Sequence, residues 1–135
     1  MNIKIIGSGS YIPSIQVKNE DFNQHTFLTE EGNLIADSNE VIIEKFKAIT
    51  GIEERRYAEN QYNTSDIGFI AAQRAIEHSG IDPETLDYII FAHNFGDVKP
   101  GAIQSDILPS LATRVKFKLK IKNPNCVAYD LLFGC

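Results

Sequence analysis

Apolar residues recur at helical spacing in two stretches of the chain, and residues typical of helix ends flank both. The first stretch begins at residue 38 or 39 and stops at Gly51, and the second begins at residue 64 or 65 and stops at Gly80. Ser, Thr or Asn before such a run and Gly after it are common helix caps. The pattern therefore predicts two helices, one over each stretch.

Three other stretches have strand-like patterns. Ile3–Ile6 and Cys126–Leu132 are short and largely apolar, and Tyr88–Ala92 is an unbroken apolar run. An unbroken run of this length is typical of a strand covered on both faces, as in a parallel sheet. Residues 23–37 show no helical period, and the polar residues at their centre predict a small hairpin or lid.

A third helix is predicted from Pro109 to about residue 119. Leu111, Ala112 and Val115 follow the proline at helical spacing, and proline is favoured at the first helical position. Lys116–Lys122 also alternates as a strand does. The resulting order of strand, helix, strand, helix and strand, with short links, predicts one α/β domain built on a layered sheet.

The charge of the chain argues against two classes of partner. Its 135 residues carry a net charge of -5 and the pI is near 5.1. Nucleic acids and anionic membrane surfaces bind through clustered Lys and Arg, so neither is an expected partner. The apolar run at the N-terminus is too short for a signal peptide or a membrane span, and a cytoplasmic location is expected.

Cys126 and Cys135 are the two cysteines of the chain. An extended segment between them would separate them by roughly 25–30 Å at about 3.3 Å per residue. That distance excludes a disulfide, so each thiol either fills space in the core or takes part in a reaction. The His, Cys, Asp and Glu spacings suggest no metal site.

Several short motifs follow one another in a fixed order along nearly the whole chain. They are Lys4–Pro13, Thr50–Ile52 with Glu54 and Arg55, Ala71–Ile76 with Gly80 and Ile81, Leu108–Ser110, and Ala128–Leu131 leading into Cys135. Together they resemble the N-terminal half of β-ketoacyl-acyl-carrier-protein synthase III, a condensing enzyme of the thiolase fold. The resemblance implies a mostly parallel mixed sheet flanked by helices, with residues 1–135 forming the N-terminal half-domain.

The resemblance assigns Cys135 as the catalytic nucleophile, placed after a strand and at the start of a buried helix. A thiolate at a helix N-terminus is stabilised by the helix dipole and the free backbone N–H groups. The same N–H groups can hold the oxyanion formed when a thioester carbonyl is attacked. Cys126 has no such setting and is interpreted as structural.

The implied reaction joins an acyl group on Cys135 to a decarboxylating malonyl-acyl-carrier-protein, forming a carbon–carbon bond. The substrates would be acyl-CoA or acyl-carrier-protein thioesters, without a permanently bound cofactor. The family draws a His and an Asn from its C-terminal half, so residues 1–135 alone are expected to be inactive. A homodimer through strand 126–132 is also implied.

Some positions depart from the family pattern. Lys45 and Ile49 stand where the family commonly places a Trp and an Arg that hold coenzyme A, which puts recognition of that cofactor in question. Leu108 replaces an aromatic residue that reaches across the dimer. Candidate substrate-pocket residues are Leu108, Phe133, Asn94 and Phe95.

Several alternatives stay open at this point. His93, Asn94 and Cys135 could form a self-contained triad, because the strand ends preceding them should face one crevice. The lysines of Lys116–Lys122 could dock an acidic carrier protein or simply be a solvated face. The whole could also be a non-catalytic thiolase-fold scaffold or partner subunit, or a hydroxymethylglutaryl-type condensing enzyme.

Overall fold

The computed structural model describes residues 2–133. The chain divides into two units, a smaller one formed by Ile12–Glu59 and a larger one formed by residues 2–11 and 60–133. The predicted site residues other than Lys45 and Ile49 fall within the larger unit or follow it in sequence. The two units are therefore described separately.

The smaller unit is built on two short antiparallel strands, β1 (Ile15–Lys18) and β2 (Glu54–Tyr57). A 3₁₀ helix, Asn19–Gln24, follows β1, and helix α1 spans Asn39–Thr50. Buried Asn19 joins these parts, because its amide Nδ2 donates to the carbonyl of Ile52 at 2.7 Å. Neither strand was predicted, since four residues with few apolar positions carry too weak a pattern.

The end of α1 and the segment before it match the sequence predictions. Gly51 ends the helix with a φ of 67°, in the left-handed region that glycine adopts without steric cost. The expected hairpin is present as a bridge between Leu28 and Leu34, with Gly32 in its turn at a φ of 81°. Both predictions are confirmed.

The larger unit contains two helices and a parallel pair of strands. Helix α2 spans Thr64–Ser79, β3 spans Tyr88–His93, α3 spans Leu111–Lys118 and β4 spans Val127–Leu132. A short 3₁₀ turn, Pro83–Thr85, precedes β3. The strands pair in parallel, in a register that runs from Tyr88↔Val127 to His93↔Leu132. This confirms the predicted parallel pairing and the helical interpretation of residues 111–118.

Helix α3 lies at the centre of the larger unit, where it packs against α2, β3 and β4. Its buried face supplies Leu111, Ala112 and Val115, none of which is more than 1% exposed. Cys126 is also buried beside the start of β4, at 2% exposure, as expected for a structural cysteine. The core of this unit therefore forms on one face of the parallel strands.

Two strand predictions need correction. Residues 3–6 form no strand, and Ile3 and Ile5 are almost fully exposed. A strand needs a hydrogen-bonding partner, and none of the described residues pairs with this segment. Burial of Tyr88–Ala92 on both faces is also wrong, because Tyr88 and Ile90 are more than half exposed on the face opposite α3.

No helix among residues 2–133 has the length and apolar character needed to cross a membrane.

Candidate active site at the carboxyl ends of the parallel strands

The carboxyl ends of β3 and β4 lie side by side. The backbone N–H of Phe133, just after β4, donates to the carbonyl of His93 at the end of β3, at 3.2 Å. Phe133 has a positive φ of 54°, which turns the chain out of the strand. Cys135, the predicted nucleophile, is two residues further on and lies outside the described residues, so its role stays a prediction.

His93 is a buried residue whose two ring nitrogens both have partners. The backbone N–H of Gly96 donates to Nδ1 at 2.9 Å, so Nδ1 carries no proton. Nε2 must then carry the proton and donate to Oδ2 of Asp130 at 3.0 Å. With neither nitrogen available to accept a proton from a thiol, this arrangement argues against the triad of His93, Asn94 and Cys135.

Asp130 ties the end of β4 to the start of α3. Its carboxylate accepts the backbone N–H groups of Leu111 and Ala112, at 2.7 and 2.8 Å, in addition to the bond from His93. Burial of the carboxyl raises its pKa, but the bonds from Ala112, His93 and Leu111 together outweigh burial and lower it below the ordinary value. The residue is therefore an ionised cap on the helix N-terminus.

Asp97 binds the first turn of α2 through hydrogen bonds to Ser65. It is 4% exposed, and it accepts the backbone N–H of Ser65 at 2.7 Å and the Ser65 hydroxyl at 2.6 Å. Nη1 of Arg114 donates at 2.8 Å to Oδ2 of Asp97, the same oxygen that accepts the Ser65 hydroxyl. The segment after β3 is thus fastened to the first turn of α2 and to α3.

The candidate pocket residues are largely exposed in this structure. Phe95, Leu108 and Phe133 have exposed fractions of 72%, 81% and 70%, and Asn94 is also exposed. Leu108 lines a groove of about 420 Å³ together with residues 99, 102 and 104–107. The structure brings Phe133 next to His93. That the four candidate residues line an acyl pocket stays a prediction.

The lysine run at the end of α3 is partly used inside the fold. Nζ of Lys116 donates to the carbonyls of Asn123 and Cys126 at 2.8 and 2.6 Å, and Nζ of Lys118 pairs with Asp66 at 2.6 Å. Lys120 and Lys122 are exposed. Lys116 and Lys118 already have partners within the fold, so a carrier-docking surface on this run would depend mainly on Lys120 and Lys122.

The two positions that depart from the coenzyme A pattern lie on α1 of the smaller unit. Lys45 pairs with Asp37 at 2.5 Å, and Ile49 is 82% exposed. No group of three or more His, Cys, Asp or Glu side chains among residues 2–133 is arranged to hold a metal ion.

The role of Asp130 and that of Arg114 were missed from the sequence. Asp130 carried a usable signal, because a charged residue inside a largely apolar strand must find partners or pay a desolvation cost. Arg114 sits on a helix, where an exposed arginine is ordinary, and nothing in its local sequence indicates its partners. The partners of Asp97 could not be predicted either, because Arg114 and Ser65 lie 17 and 32 positions away from it in the sequence.

No protein-family model matches the chain. It is 39% identical over 135 residues to β-ketoacyl-[acyl-carrier-protein] synthase III 1 of Vibrio vulnificus, covering 100% of this chain and 35% of the relative. It is also 39% identical over 134 residues to the synthase III of Clostridium acetobutylicum, covering 99% of this chain and 34% of that protein. The chain thus spans about a third of the length of these curated relatives.

Two solved structures of synthase III show the same fold. The enzyme from Thermus thermophilus matches with a TM-score of 0.68 at 27% identity, over 97% of this chain and 33% of that one. The enzyme from Aquifex aeolicus matches with a TM-score of 0.66 at 27% identity, over 95% and 34%. The chain therefore matches, over its whole length, about a third of a β-ketoacyl-acyl-carrier-protein synthase III, and it has the α/β, thiolase-like fold that the resemblance implied.

Proposed function

We propose that these residues belong to a condensing acyltransferase of the β-ketoacyl synthase III type, acting in fatty-acid or related ketide synthesis. The observation that carries the proposal is the 39% identity, maintained over the whole chain, to two curated synthases of this name. The substrates would be an acyl-CoA or acyl-carrier-protein thioester and a malonyl-acyl-carrier-protein. No permanently bound cofactor is needed for this chemistry.

In the first half-reaction the Cys135 thiolate attacks the carbonyl carbon of the acyl thioester. A new C–S bond forms to Cys135, the bond to the donor sulfur breaks, and the donor leaves as a thiolate that takes up a proton. In the second, the malonyl thioester loses carbon dioxide and its carbanion attacks the acyl carbon, releasing the Cys135 thiolate. The Asp130 and His93 bonds support this proposal, because they hold the strand that leads to Cys135.

The acylation half-reaction gives the sharpest test. The protein as its gene encodes it would be incubated with an acyl-CoA or acyl-carrier-protein thioester and its intact mass measured. We expect a mass gain of one acyl group in the wild type and none in Cys135→Ala. Cys126→Ala is the matched control, since it removes the other thiol of this chain and should leave acylation intact. Acylation of Cys135→Ala at the wild-type level would overturn the nucleophile assignment.

A non-catalytic scaffold is the second candidate. The observation that favours it is the loss of the family's Trp and Arg at positions 45 and 49, where a paired lysine and an exposed isoleucine stand. A scaffold would remain unacylated by every thioester tested and would still bind a partner chain. The same mass measurement therefore separates the two functions.

A homodimer through strand 126–132 and a cytoplasmic location complete the proposal. Among residues 2–133, β4 pairs with β3 alone, which leaves its other edge available to a second copy. Sedimentation equilibrium would give the stoichiometry. Hydrogen exchange at residues 127–132 should slow as protein concentration rises, and exchange independent of concentration would count against this interface.

A further inference from the structure

Arg114, on α3, binds oxygen atoms from both ends of the segment that links β3 to α3. Nη1 donates to Asp97 at 2.8 Å, and Nη2 donates to Asp106 at 2.7 Å and to the carbonyl of Leu108 at 3.0 Å. Nε donates to the carbonyl of Pro109 at 2.9 Å. The guanidinium thus uses its rigid fork of donors on four partners at once, which a lysine could not reproduce.

The partners of Arg114 also hold one another. The backbones of Asp97 and Asp106 form an antiparallel bridge, with hydrogen bonds of 3.0 and 2.8 Å. The two arms approach so closely that a Cβ added at Gly96 would lie 2.6 Å from Cγ2 of Ile107. The segment is therefore folded back on itself, with Arg114 at the base of the fold.

This folded segment starts at the carboxyl end of the parallel strands. It leaves β3 at His93, whose carbonyl accepts the N–H of Phe133, two residues before Cys135 in the sequence. Ligands of α/β sheets bind outside the carboxyl ends of the strands. Phe95 and Leu108 stand near the two ends of the segment with most of their apolar surface exposed. An apolar acyl chain arriving at this edge would meet these side chains.

We propose that Arg114 is a positioning residue that fixes residues 94–109 and thereby sets which acyl thioesters reach Cys135. This inference rests on the proposed condensing function. Without the guanidinium, Asp97 keeps its bonds to Ser65, but the carbonyls of Leu108 and Pro109 and the Asp106 carboxylate lose their common anchor. Leu108 then shifts relative to the strand ends, and discrimination between acyl chains changes.

The test compares Arg114→Met and Arg114→Lys with the wild type over straight-chain acyl thioesters from acetyl to octanoyl, each offered both on coenzyme A and on acyl carrier protein. The measured quantity is kcat/KM for acylation, expressed as the ratio of octanoyl to acetyl. We expect Arg114→Met to change this ratio by about tenfold, since apolar pockets discriminate a single methylene by about ten- to two-hundredfold. Arg114→Lys keeps the charge beside Asp97 but not the fork, so it should fold as the wild type does and still show an altered ratio.

Arg74→Met is the matched control, because Arg74 also donates to a backbone carbonyl, that of Ser10, but outside this segment. Its ratio should equal that of the wild type. Hydrogen exchange gives a readout independent of activity, with the Asp97 and Asp106 amides exchanging about tenfold faster in both Arg114 variants and unchanged in the control.

The outcomes separate the inference from the function on which it rests. A wild-type protein that accepts none of the thioesters overturns the condensing function, and the selectivity role with it. A wild type that is acylated, with the same ratio in both Arg114 variants, overturns the role of Arg114 alone. Unchanged amide exchange in the variants would also overturn it, because the segment would then be fixed by other contacts.

Discussion

Asp130 accepts hydrogen bonds from a strand and from a helix, so a change to this side chain should loosen both. Asp130→Asn places an amide N–H₂ against groups that are themselves donors, and it removes the charge that caps α3. We expect a loss of about 2–4 kcal/mol in the free energy of unfolding, since bonds to a charged group are worth about 1.5–3 kcal/mol each and are not additive. Urea unfolding measures this, with the exposed Asp87→Asn as control.

The lowered pKa of Asp130 adds a pH dependence to the same prediction. The folded pKa lies below the value of an unfolded aspartate, which is about 3.9. The stability that the carboxylate contributes is thus fully present above the unfolded pKa, and it is lost as the pH falls through the folded pKa. The stability gap between wild type and Asp130→Asn should narrow below about pH 4. A gap of constant size through that acid range would contradict the assigned cap.

Single residues show why the site was only partly predictable from sequence. Cys126 was correctly interpreted as structural because a lone thiol in an apolar setting usually fills the core. His93 and Asn94 were candidates for a triad because the sequence pattern placed them at the end of a strand. The bond from Gly96 that occupies Nδ1 of His93 depends on how the chain turns after the strand. The sequence identifies a reactive type of side chain, but its partners come from the tertiary fold.

Helices α1 and α2 were predicted to within a residue because the signals at their ends are local. Gly51 and Gly80 adopt positive φ angles of 67° and 68° directly after the last helical residues. Strands β1 and β2 were missed, and a strand was wrongly assigned to residues 3–6, because pairing depends on a partner distant in sequence. Strand β1, for example, pairs Ile15 with Tyr57. Helices could therefore be predicted from sequence, because the signals at their ends are local. Strands β1 and β2 could not, because a strand forms only where a segment distant in sequence pairs with it.

At Gly68, helix α2 lies against the ring of Phe91 on β3, which gives a test of their packing. A Cβ added at Gly68 would overlap the ring of Phe91 and lie 2.6 Å from its Cζ. Alanine gains about 1 kcal/mol of helix propensity over glycine, while overpacking typically costs about 1–3 kcal/mol. We expect Gly68→Ala to lower the free energy of unfolding measured by thermal and urea denaturation.

The control is to make the same Gly68→Ala change in a variant that has a smaller side chain at position 91. In Phe91→Leu the ring is gone, so adding Gly68→Ala should raise stability rather than lower it. A reversal of sign between the two backgrounds would identify the contact with Phe91 as the cause. The same loss in both would mean that α2 tolerates no side chain at position 68 for another reason.

At the scale of the larger unit, the β3–β4 pair is apolar on both faces but covered on one. Helix α3 packs on one face, and the other presents a continuous apolar surface at 40–63% exposure for its five large side chains: Tyr88, Ile90, Val127, Tyr129 and Leu131. Contiguous apolar patches of this kind are rare on monomeric proteins. We expect the 135-residue chain to self-associate at micromolar concentration, as measured by light scattering.

Substitutions can show whether this face causes the association. Ile90→Thr combined with Tyr129→Thr keeps strand-favouring residues while removing apolar area from the centre of the face. The matched control changes Ile3 and Ile103 to Thr, two side chains that are more exposed, at 87% and 104%, and that lie outside the strands. Scattering should fall in the sheet variant and persist in the control. Equal loss in both would mean that total exposed apolar area, rather than a contiguous face, drives the association, because the control removes the more exposed side chains without touching the patch.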